Sequence, residues 1–235
     1  MPQKTPTKQI EGMLARLPVF RQTTPAHLQR LARHAELRHV ARNTLLYQRG
    51  DPATGFYALV FGQVKLSLHA PDGTEKVLRL VVPGETFAES VLFDVQPQPV
   101  NALVLADSCL LFLPAPALEH LLEHDRAFAR ALLASLSKRI HMLIADIEAY
   151  SLSSGTQRLA AFLHGLAGPS DPAPVRVRLP ANKTVIASRL GITKETLSRL
   201  LHELTAQGLV EVLRREIVLR DPPRLAQMAR GAAKP

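Results

Sequence analysis

The chain has 235 residues, 46% of them apolar, which is enough for two domains with separate hydrophobic cores. It contains no run of the roughly 18–20 uncharged apolar residues that a membrane span needs, and its N-terminus lacks the apolar segment of a secretory signal. A single cysteine, Cys109, excludes an internal disulfide framework and is typical of a reducing compartment. We therefore expect a cytoplasmic protein without membrane association.

The net charge of +9 is unevenly distributed along the chain. Residues 1–150 contain 16 basic and 14 acidic residues, a net charge of +2, whereas residues 151–235 contain 13 and 6, a net charge of +7. A basic domain beside a nearly neutral one indicates a polyanionic partner, with nucleic acid favoured over a membrane surface. A soluble basic domain without such a partner is the alternative.

Strands and turns are predicted from about residue 17 to residue 114, and VKLSLHAPDGTEKVLRLVV contains the clearest hairpin. Strict alternation predicts two sets of inward-facing residues on its strands: Val64, Leu66 and Leu68, then Leu78, Leu80 and Val82. Several glycines supply the backbone angles that the corners of a roll or barrel need. We predict a β-roll sensor domain over residues 17–117.

The apolar period then changes from two residues to about 3.5. Six residues step by three and four positions in turn: Leu133, Leu136, Ile140, Leu143, Ile147 and Tyr150. Such a seam on one long helix favours a matching partner helix, although a helix packed on its own domain can have the same pattern. We predict a dimerisation helix over residues 118–151, a homodimer, and a hinge at 151–155 (SLSSG).

The strongest motif is KTVIASRLGITKETLSRLLHEL, residues 183–204, within a predicted C-terminal domain at 152–235. The small Ala187 lets two helices cross closely, and Gly191 permits a left-handed turn residue. The positions that must face inward in a helix-turn-helix are all apolar: Ile186, Leu190, Ile192, Leu197 and Leu200. These seven constraints together predict a helix-turn-helix.

The second helix of the motif and the hairpin after it carry the predicted DNA contacts. Thr193 is the expected N-cap of the helix. The residues predicted on its exposed face are Lys194, Glu195, Ser198 and Arg199. Arginine can read guanine and glutamate can read cytosine in the major groove, whereas a surface ion pair between Glu195 and Arg199 is the alternative. The hairpin LVEVLRREIVLR is a predicted wing, whose tip residues Arg214 and Arg215 would contact phosphates.

The order of β-roll, long helix, hinge and winged helix-turn-helix resembles the Crp/Fnr superfamily of transcription regulators over almost the entire chain. The recognition helix is similar to the Fnr type in Glu195, Ser198 and Arg199, since the Crp type has glycine at the position of Ser198. The resemblance implies an α+β fold with a cyclic-nucleotide-binding-like β-roll. It also implies a dimer that binds double-stranded DNA at an inverted repeat such as TTGAT, four bases, ATCAA. Contacts with RNA polymerase, mostly activating, are implied as well.

The residues that bind cyclic AMP in this family are incompletely matched. The glutamate that contacts the ribose has its counterpart in Glu89, but Ala88 replaces the preceding glycine. Pro99 and Val100 stand where cyclic-AMP-binding members have arginine and serine, so we expect no binding of cyclic AMP. An iron–sulfur cluster is not expected either, because Cys109 alone cannot supply the thiolates.

The stretches FYALVFGQVKLS, PDGTEKVL, ETFAES and LLASLSKRIHMLIADIEAYSL resemble most the Dnr/Nnr branch, the dissimilatory nitrate respiration regulators. This resemblance implies a response to nitric oxide, with haem as the proposed sensor. The predicted effector pocket consists of Phe87, Glu89, Val91, Leu92 and Phe93, although core packing explains each residue singly. The candidate axial ligands are His120, His124, His141 and Cys109, and no metal-ligand set can be assigned from them.

Three hypotheses for function follow from these patterns. The first is an activator that responds to nitric oxide through haem, and the second is an Fnr-type DNA binder without an effector, regulated by its own abundance. The third is a cyclic-nucleotide-binding module of an enzyme or channel, against which Pro99 and Val100 argue. The sequence has no nucleophile elbow, P-loop, dinucleotide fingerprint or zinc-peptidase motif, so we expect no enzymatic activity.

Overall fold

The structure is a computed structural model that describes residues 6–92, 96–167, 174–214 and 216–231. The chain divides into two compact units, Met1–His141 and Met142–Pro235. Each unit contains helices and an antiparallel sheet, which confirms the predicted α+β class. No described helix is both long enough and apolar enough to cross a membrane.

The first unit consists of helices that flank a six-stranded antiparallel sheet. Its helices are α1 (Thr7–Arg16), α2 (Pro25–His34), α3 (Ala115–His124) and the greater part of α4 (Arg126–Leu152). Its strands are β1 (Glu36–Val40), β2 (Leu45–Tyr47), β3 (Gly55–His69), β4 (Glu75–Val81), β5 (Thr86–Phe87) and β6 (Asn101–Pro114). The strand order is β1-β6-β3-β4, with β2 paired to β6 and β5 paired to β3.

The segment from residue 17 to residue 34 is helical, which corrects the prediction that strands begin at residue 17. A short 3₁₀ helix (Pro18–Phe20) and α2 occupy it. Thr24 begins α2 because its hydroxyl accepts a hydrogen bond from the backbone N–H of His27 at 3.4 Å. Helix α1, which precedes the predicted domain boundary, buries Leu14 in the same apolar cluster as α2.

The β3–β4 hairpin forms as predicted, but β4 turns different residues inward. Between Leu66 and Ser67 the pairing with β4 shifts by one residue, so β4 contains a β-bulge. A bulge interrupts the regular alternation of side chains along a strand, so strict alternation no longer predicts which residues face inward. The buried residues of β4 are Val77 and Val81. The expected inward residues Leu78, Leu80 and Val82 are half-buried or exposed.

The predicted dimerisation helix over residues 118–151 is two helices. Helix α3 ends at His124, and Asp125 leaves helical geometry with φ −123° and ψ 97°. The Asp125 carboxylate then accepts a hydrogen bond from the backbone N–H of Phe128 at 2.9 Å, which caps the first turn of α4. The long helix therefore begins at Arg126 rather than at residue 118.

The second unit contains the end of α4 and a separate core. Its other elements are α5 (Gly155–Gly165), β7 (Val175–Arg178), α6 (Lys183–Leu190), α7 (Lys194–Ala206), β8 (Val210–Leu213), β9 (Glu216–Leu219) and α8 (Pro222–Arg230). Helix α4 ends at Leu152, inside the predicted hinge, and Ser154 begins α5 through a capping box with Gln157. Helix α8 was not expected from the sequence and buries Leu225 in this core.

Candidate DNA-binding site

Helices α6 and α7 form the predicted helix-turn-helix. Asn182 caps α6, and Gly191 ends it in the left-handed conformation, with φ 66° and ψ 38°. Ala187 is 2% exposed at the crossing of the two helices. The apolar positions of the motif are buried or, for Ile192, half-buried: Ile186, Leu190, Ile192, Leu197 and Leu200. The local pattern thus determined both the turn and the inward faces.

The recognition helix α7 has a capped start and a polar exposed face. The Thr193 hydroxyl accepts a hydrogen bond from the backbone N–H of Thr196 at 3.1 Å, as expected for an N-cap. The residues of the predicted reading face are all exposed: Lys194, Glu195, Ser198 and Arg199. Their contact with bases stays a prediction.

The guanidinium of Arg199 points along α7 toward Glu203, not back toward Glu195. Its Nε lies 3.8 Å from Oε1 of Glu203, and the two side chains are 71% and 49% exposed. A pair this open to solvent contributes only about 0.3–0.5 kcal/mol. Arg199 can therefore exchange this carboxylate for a nucleic-acid acceptor at little cost.

The hairpin that follows α7 is the predicted wing. Strands β8 and β9 pair antiparallel, and β9 also pairs with β7. Arg214 stands at the turn between β8 and β9 with φ 57° and an exposed side chain. Arg215, the other predicted phosphate contact, lies outside the described residues.

Most of the predicted dimer seam lies on the open surface of α4. Leu133, Ile140, Leu143 and Ile147 are 50–66% exposed, and the neighbouring Ile144 is 56% exposed. Leu136 is the exception, because it packs on the apolar cluster beneath the β-roll. The side chain of Tyr150 lies outside the described part of the structure.

Two residues of the predicted effector pocket have described side chains, Phe87 and Glu89, and both are buried. Phe87 is fully buried and stacks on Tyr57, with ring centroids 5.2 Å apart. Glu89 is 3% exposed, and its Oε2 accepts a hydrogen bond from Arg139 of α4 at 2.7 Å. Arg139 also donates to the carbonyl oxygen of Thr86 at 3.0 Å. The side chains of Val91 and Leu92 and all of Phe93 lie outside the described region.

Arg139 was missed by the sequence analysis. It is next to the seam residue Ile140, and a charged side chain at that position is normally predicted to be exposed to solvent. Its partner Glu89 is 50 residues earlier in the chain, so no local pattern connects the two. The carboxylate expected to contact a ribose therefore has an arginine partner within the chain.

The candidate axial ligands for haem are dispersed. The rings of His120 and His124 stack on each other with centroids 4.1 Å apart, and His141 is exposed on α4. Cys109 is buried in β6, and burial raises the pKa of its thiol. Within the described ranges, no three His, Cys, Asp or Glu side chains are grouped so that they could bind a metal. The described apolar cluster that contains Phe87 includes no cysteine or methionine, so it offers no sulfur ligand for haem.

Two family models match this chain. A cyclic nucleotide-binding domain matches residues 37–125, and a Crp-like helix-turn-helix domain matches residues 157–228. The chain belongs to the Crp/Fnr family. It is similar to the CRP-like cAMP-activated global transcriptional regulator of Mycobacterium tuberculosis, with 24% identity over 94% of this chain and 100% of that protein.

Two further proteins are similar to this chain. The structure of FixK2 from Bradyrhizobium japonicum is 26% identical, with a TM-score of 0.75, and the match covers 85% of this chain and 99% of that one. The transcriptional regulatory protein btr of Bordetella pertussis is 28% identical over 80% of this chain and 79% of its own. The chain is thus a DNA-binding transcription regulator and not an enzyme. These relatives do not single out the Dnr/Nnr branch, which stays a prediction.

Proposed function

We propose that this Crp/Fnr regulator binds an Fnr-type inverted repeat, TTGAT, four bases, ATCAA, as a homodimer and activates transcription through contacts with RNA polymerase. One observation carries the proposal. Glu195, Ser198 and Arg199 form the exposed face of a capped helix whose other face is buried in the helix-turn-helix core. A helix presented in this way can enter a major groove and offer a donor for guanine and an acceptor for cytosine.

The apolar stripe of α4 supports the homodimer. Leu133 and Ile147 are 14 residues apart, so the exposed stripe is about 21 Å long at the helical rise of 1.5 Å per residue. Apolar side chains in a heptad pattern are stabilised when a second helix covers them. A two-fold dimer through this stripe would present α7 twice, as an inverted repeat requires.

The charge of residues 151–235 supports binding to the DNA backbone. Residues 151–235 carry a net charge of +7, and Arg214 is exposed at the tip of the wing. Contacts to phosphates release counterions, so affinity should fall steeply as the salt concentration rises. Such contacts would position the dimer, while the α7 face would select the sequence.

An effector-free regulator is the form of this proposal that the described residues support. Glu89 is paired with Arg139, and Phe87 is packed among aromatic rings, so both described side chains of the predicted pocket have partners within the chain. The haem-dependent response to nitric oxide stays a prediction. Titration with hemin decides between the two: a stoichiometric Soret band that nitric oxide shifts would favour the haem sensor. Micromolar binding of a cyclic nucleotide in calorimetry would instead support the nucleotide-binding alternative.

The central experiment is a gel-shift titration of the purified chain with three duplexes: the TTGAT inverted repeat, a single half-site and a scrambled repeat. We expect the inverted repeat to bind at least about a thousandfold more tightly than the scrambled duplex, as is typical of specific sites. Sedimentation should give two chains for each bound duplex. No preference for any inverted repeat, with or without hemin and nitric oxide, would contradict the proposal.

A further inference from the structure

Within the C-terminal unit, an ion pair joins the end of the long helix to the first helix of the helix-turn-helix. Nη2 of Arg189, in α6, lies 2.9 Å from each carboxylate oxygen of Asp146, in α4. The two side chains are 23% and 29% exposed, so water screens this pair less than it screens the open pair on α7. The contact therefore holds α6 at one position along α4.

A second arginine braces the same junction. Nε of Arg158, in α5, donates a hydrogen bond to the carbonyl oxygen of Leu190 at 2.8 Å, and its Nη1 donates to the carbonyl oxygen of Ser153. Leu190 is the last residue of α6, and Ser153 lies between α4 and α5. Arg158 thus connects the end of α6 to the connection that follows the long helix.

The space between these polar contacts is not filled by side chains. A cavity of about 190 Å³ lies there, and its apolar lining is Ala149, Ala161, Phe162 and Leu190. Close packing fixes the angle between two helices when side chains interdigitate, and side chains that border an unfilled cavity interdigitate less. The hydrogen bonds of Arg189 and Arg158 therefore help to fix the orientation of α6 against α4.

The two roles of α4 occupy different faces of the helix. At 100° per residue, Asp146 lies about 100° around the helix from Ile147 and about 60° from Leu143, on the side of Ala149. Leu143 and Ile147 are exposed, whereas Asp146 and Ala149 line the cavity. One face of the same turns is thus open for a second copy, while another carries the DNA-binding helices.

We propose that the Asp146–Arg189 ion pair positions the helix-turn-helix on the dimerisation helix and thereby sets the distance between the two recognition helices. This inference rests on the proposed function, because it assumes a dimer with two reading helices. Arg189 and Asp146 are positioning residues that act through α7 and touch no base. Their effect is on the operator spacing that the dimer accepts.

The test compares spacing preference among variants with a matched control. Asp146→Asn removes the ion pair, and Glu148→Gln removes the same charge from an exposed position two residues later. A double exchange, Asp146→Arg with Arg189→Asp, restores the pair in reverse.

Gel shifts are measured on inverted repeats with spacers of two to six bases and on a single half-site. We expect Asp146→Asn to bind the four-base spacer about tenfold more weakly and to flatten the spacing profile, with half-site affinity unchanged. Glu148→Gln should behave as the wild type, and the exchanged pair should recover most of the preference.

A second readout does not depend on DNA. A nitroxide label is attached at position 202 of a variant that combines His202→Cys with Cys109→Ala, which removes the natural cysteine. Electron–electron double resonance then measures the distance between the labels on the two α7 helices of the dimer. Asp146→Asn should broaden this distance distribution. If the wild type bound no inverted repeat but Asp146→Asn still broadened the distance distribution, the proposed function would be overturned and the positioning role would stand. Unchanged spacing and distance profiles in Asp146→Asn, or an equal loss on half-site and repeat, would overturn the inference.

Discussion

Oδ2 of Asp125 lies 2.8 Å from Nδ1 of His27, although the two residues are 98 positions apart. The same carboxyl group accepts hydrogen bonds from the backbone N–H groups of Thr24, at 3.2 Å, and Phe128, at 2.9 Å. Asp125 is 4% exposed and is the residue at which the chain passes from α3 to α4. One carboxylate thus connects the start of α2 to the start of the long helix.

Replacing this carboxylate should destabilise the N-terminal unit. Asp125→Ala leaves three buried or half-buried donors without their acceptor, so we expect a loss of about 2–4 kcal/mol in the free energy of unfolding. Urea denaturation followed by circular dichroism measures it. Asp107→Ala is the control, because Asp107 is exposed and accepts one backbone hydrogen bond, from Arg42 at 2.9 Å. Equal losses in the two variants would contradict the role assigned to Asp125.

The same site predicts a pH dependence of stability. Burial alone would raise the pKa of the Asp125 carboxyl, but the hydrogen bonds from His27, Phe128 and Thr24 outweigh it and hold the pKa below its usual range. A depressed pKa stabilises the folded state above the ordinary value of about 3.9, and this stabilisation is lost as the pH falls through the folded-state value. Between about pH 5 and pH 3, wild type should therefore lose more stability than Asp125→Asn. If the urea midpoints of the wild type and Asp125→Asn fell in parallel across this range, the role assigned to the Asp125 carboxyl would be contradicted.

Gly62 is predicted to be indispensable to the β-roll. Its φ is +96°, and a Cβ added there would lie 2.1 Å from Oγ of Ser108 and 2.7 Å from the carbonyl oxygen of Asp107. Gly62→Ala should cost about 3 kcal/mol or more, or prevent folding. Gly73→Ala is the control, since φ is +84° but no atom lies within 4 Å, and it should cost about 1 kcal/mol. If Gly62→Ala and Gly73→Ala had the same melting temperature, crowding at Gly62 would be unimportant.

A charge in the apolar stripe of α4 should produce monomers. Ile147 is 66% exposed, and an aspartate there would place two like charges in the seam of the proposed dimer. We expect Ile147→Asp to sediment as one chain and to lose affinity for the inverted repeat. Ala145→Asp adds the same charge on an exposed part of α4 away from the stripe and should remain dimeric. If Ile147→Asp remained a dimer at micromolar concentration, the dimer interface would lie outside the apolar stripe of α4.

The reading face of α7 predicts distinct effects of two substitutions. Arg199→Ala should weaken specific binding by about 1–3 kcal/mol per half-site and relax the preference at one base pair. Glu195→Ala should chiefly reduce discrimination between bases. Arg224→Ala removes the same charge from α8 and should lower affinity slightly for every sequence alike. Binding selections on randomised half-sites measure all three, and wild-type sequence preference in both α7 variants would refute the assigned face.

Local sequence was sufficient for the DNA-binding motif and the seam. Ala187, Gly191 and Thr193 act through contacts with residues at most a few positions away: a close helix crossing, a left-handed turn and an N-cap. The exposed stripe through Leu143 and Ile147 follows from helical periodicity alone. Interactions of such short range are encoded in the spacing of residue types, which a single sequence displays.

Only the tertiary structure decided how distant segments meet. Glu89 and Arg139, Asp125 and His27, and Asp146 and Arg189 are 50, 98 and 43 residues apart. The helical segment at 17–34 and the bulge in β4 likewise depend on the surface that each segment covers. Burial against that surface outweighs the intrinsic preference of the residues for helix or strand. Long-range pairing is a property of the packed chain, because periodicity specifies which face of an element is apolar but not which partner it meets.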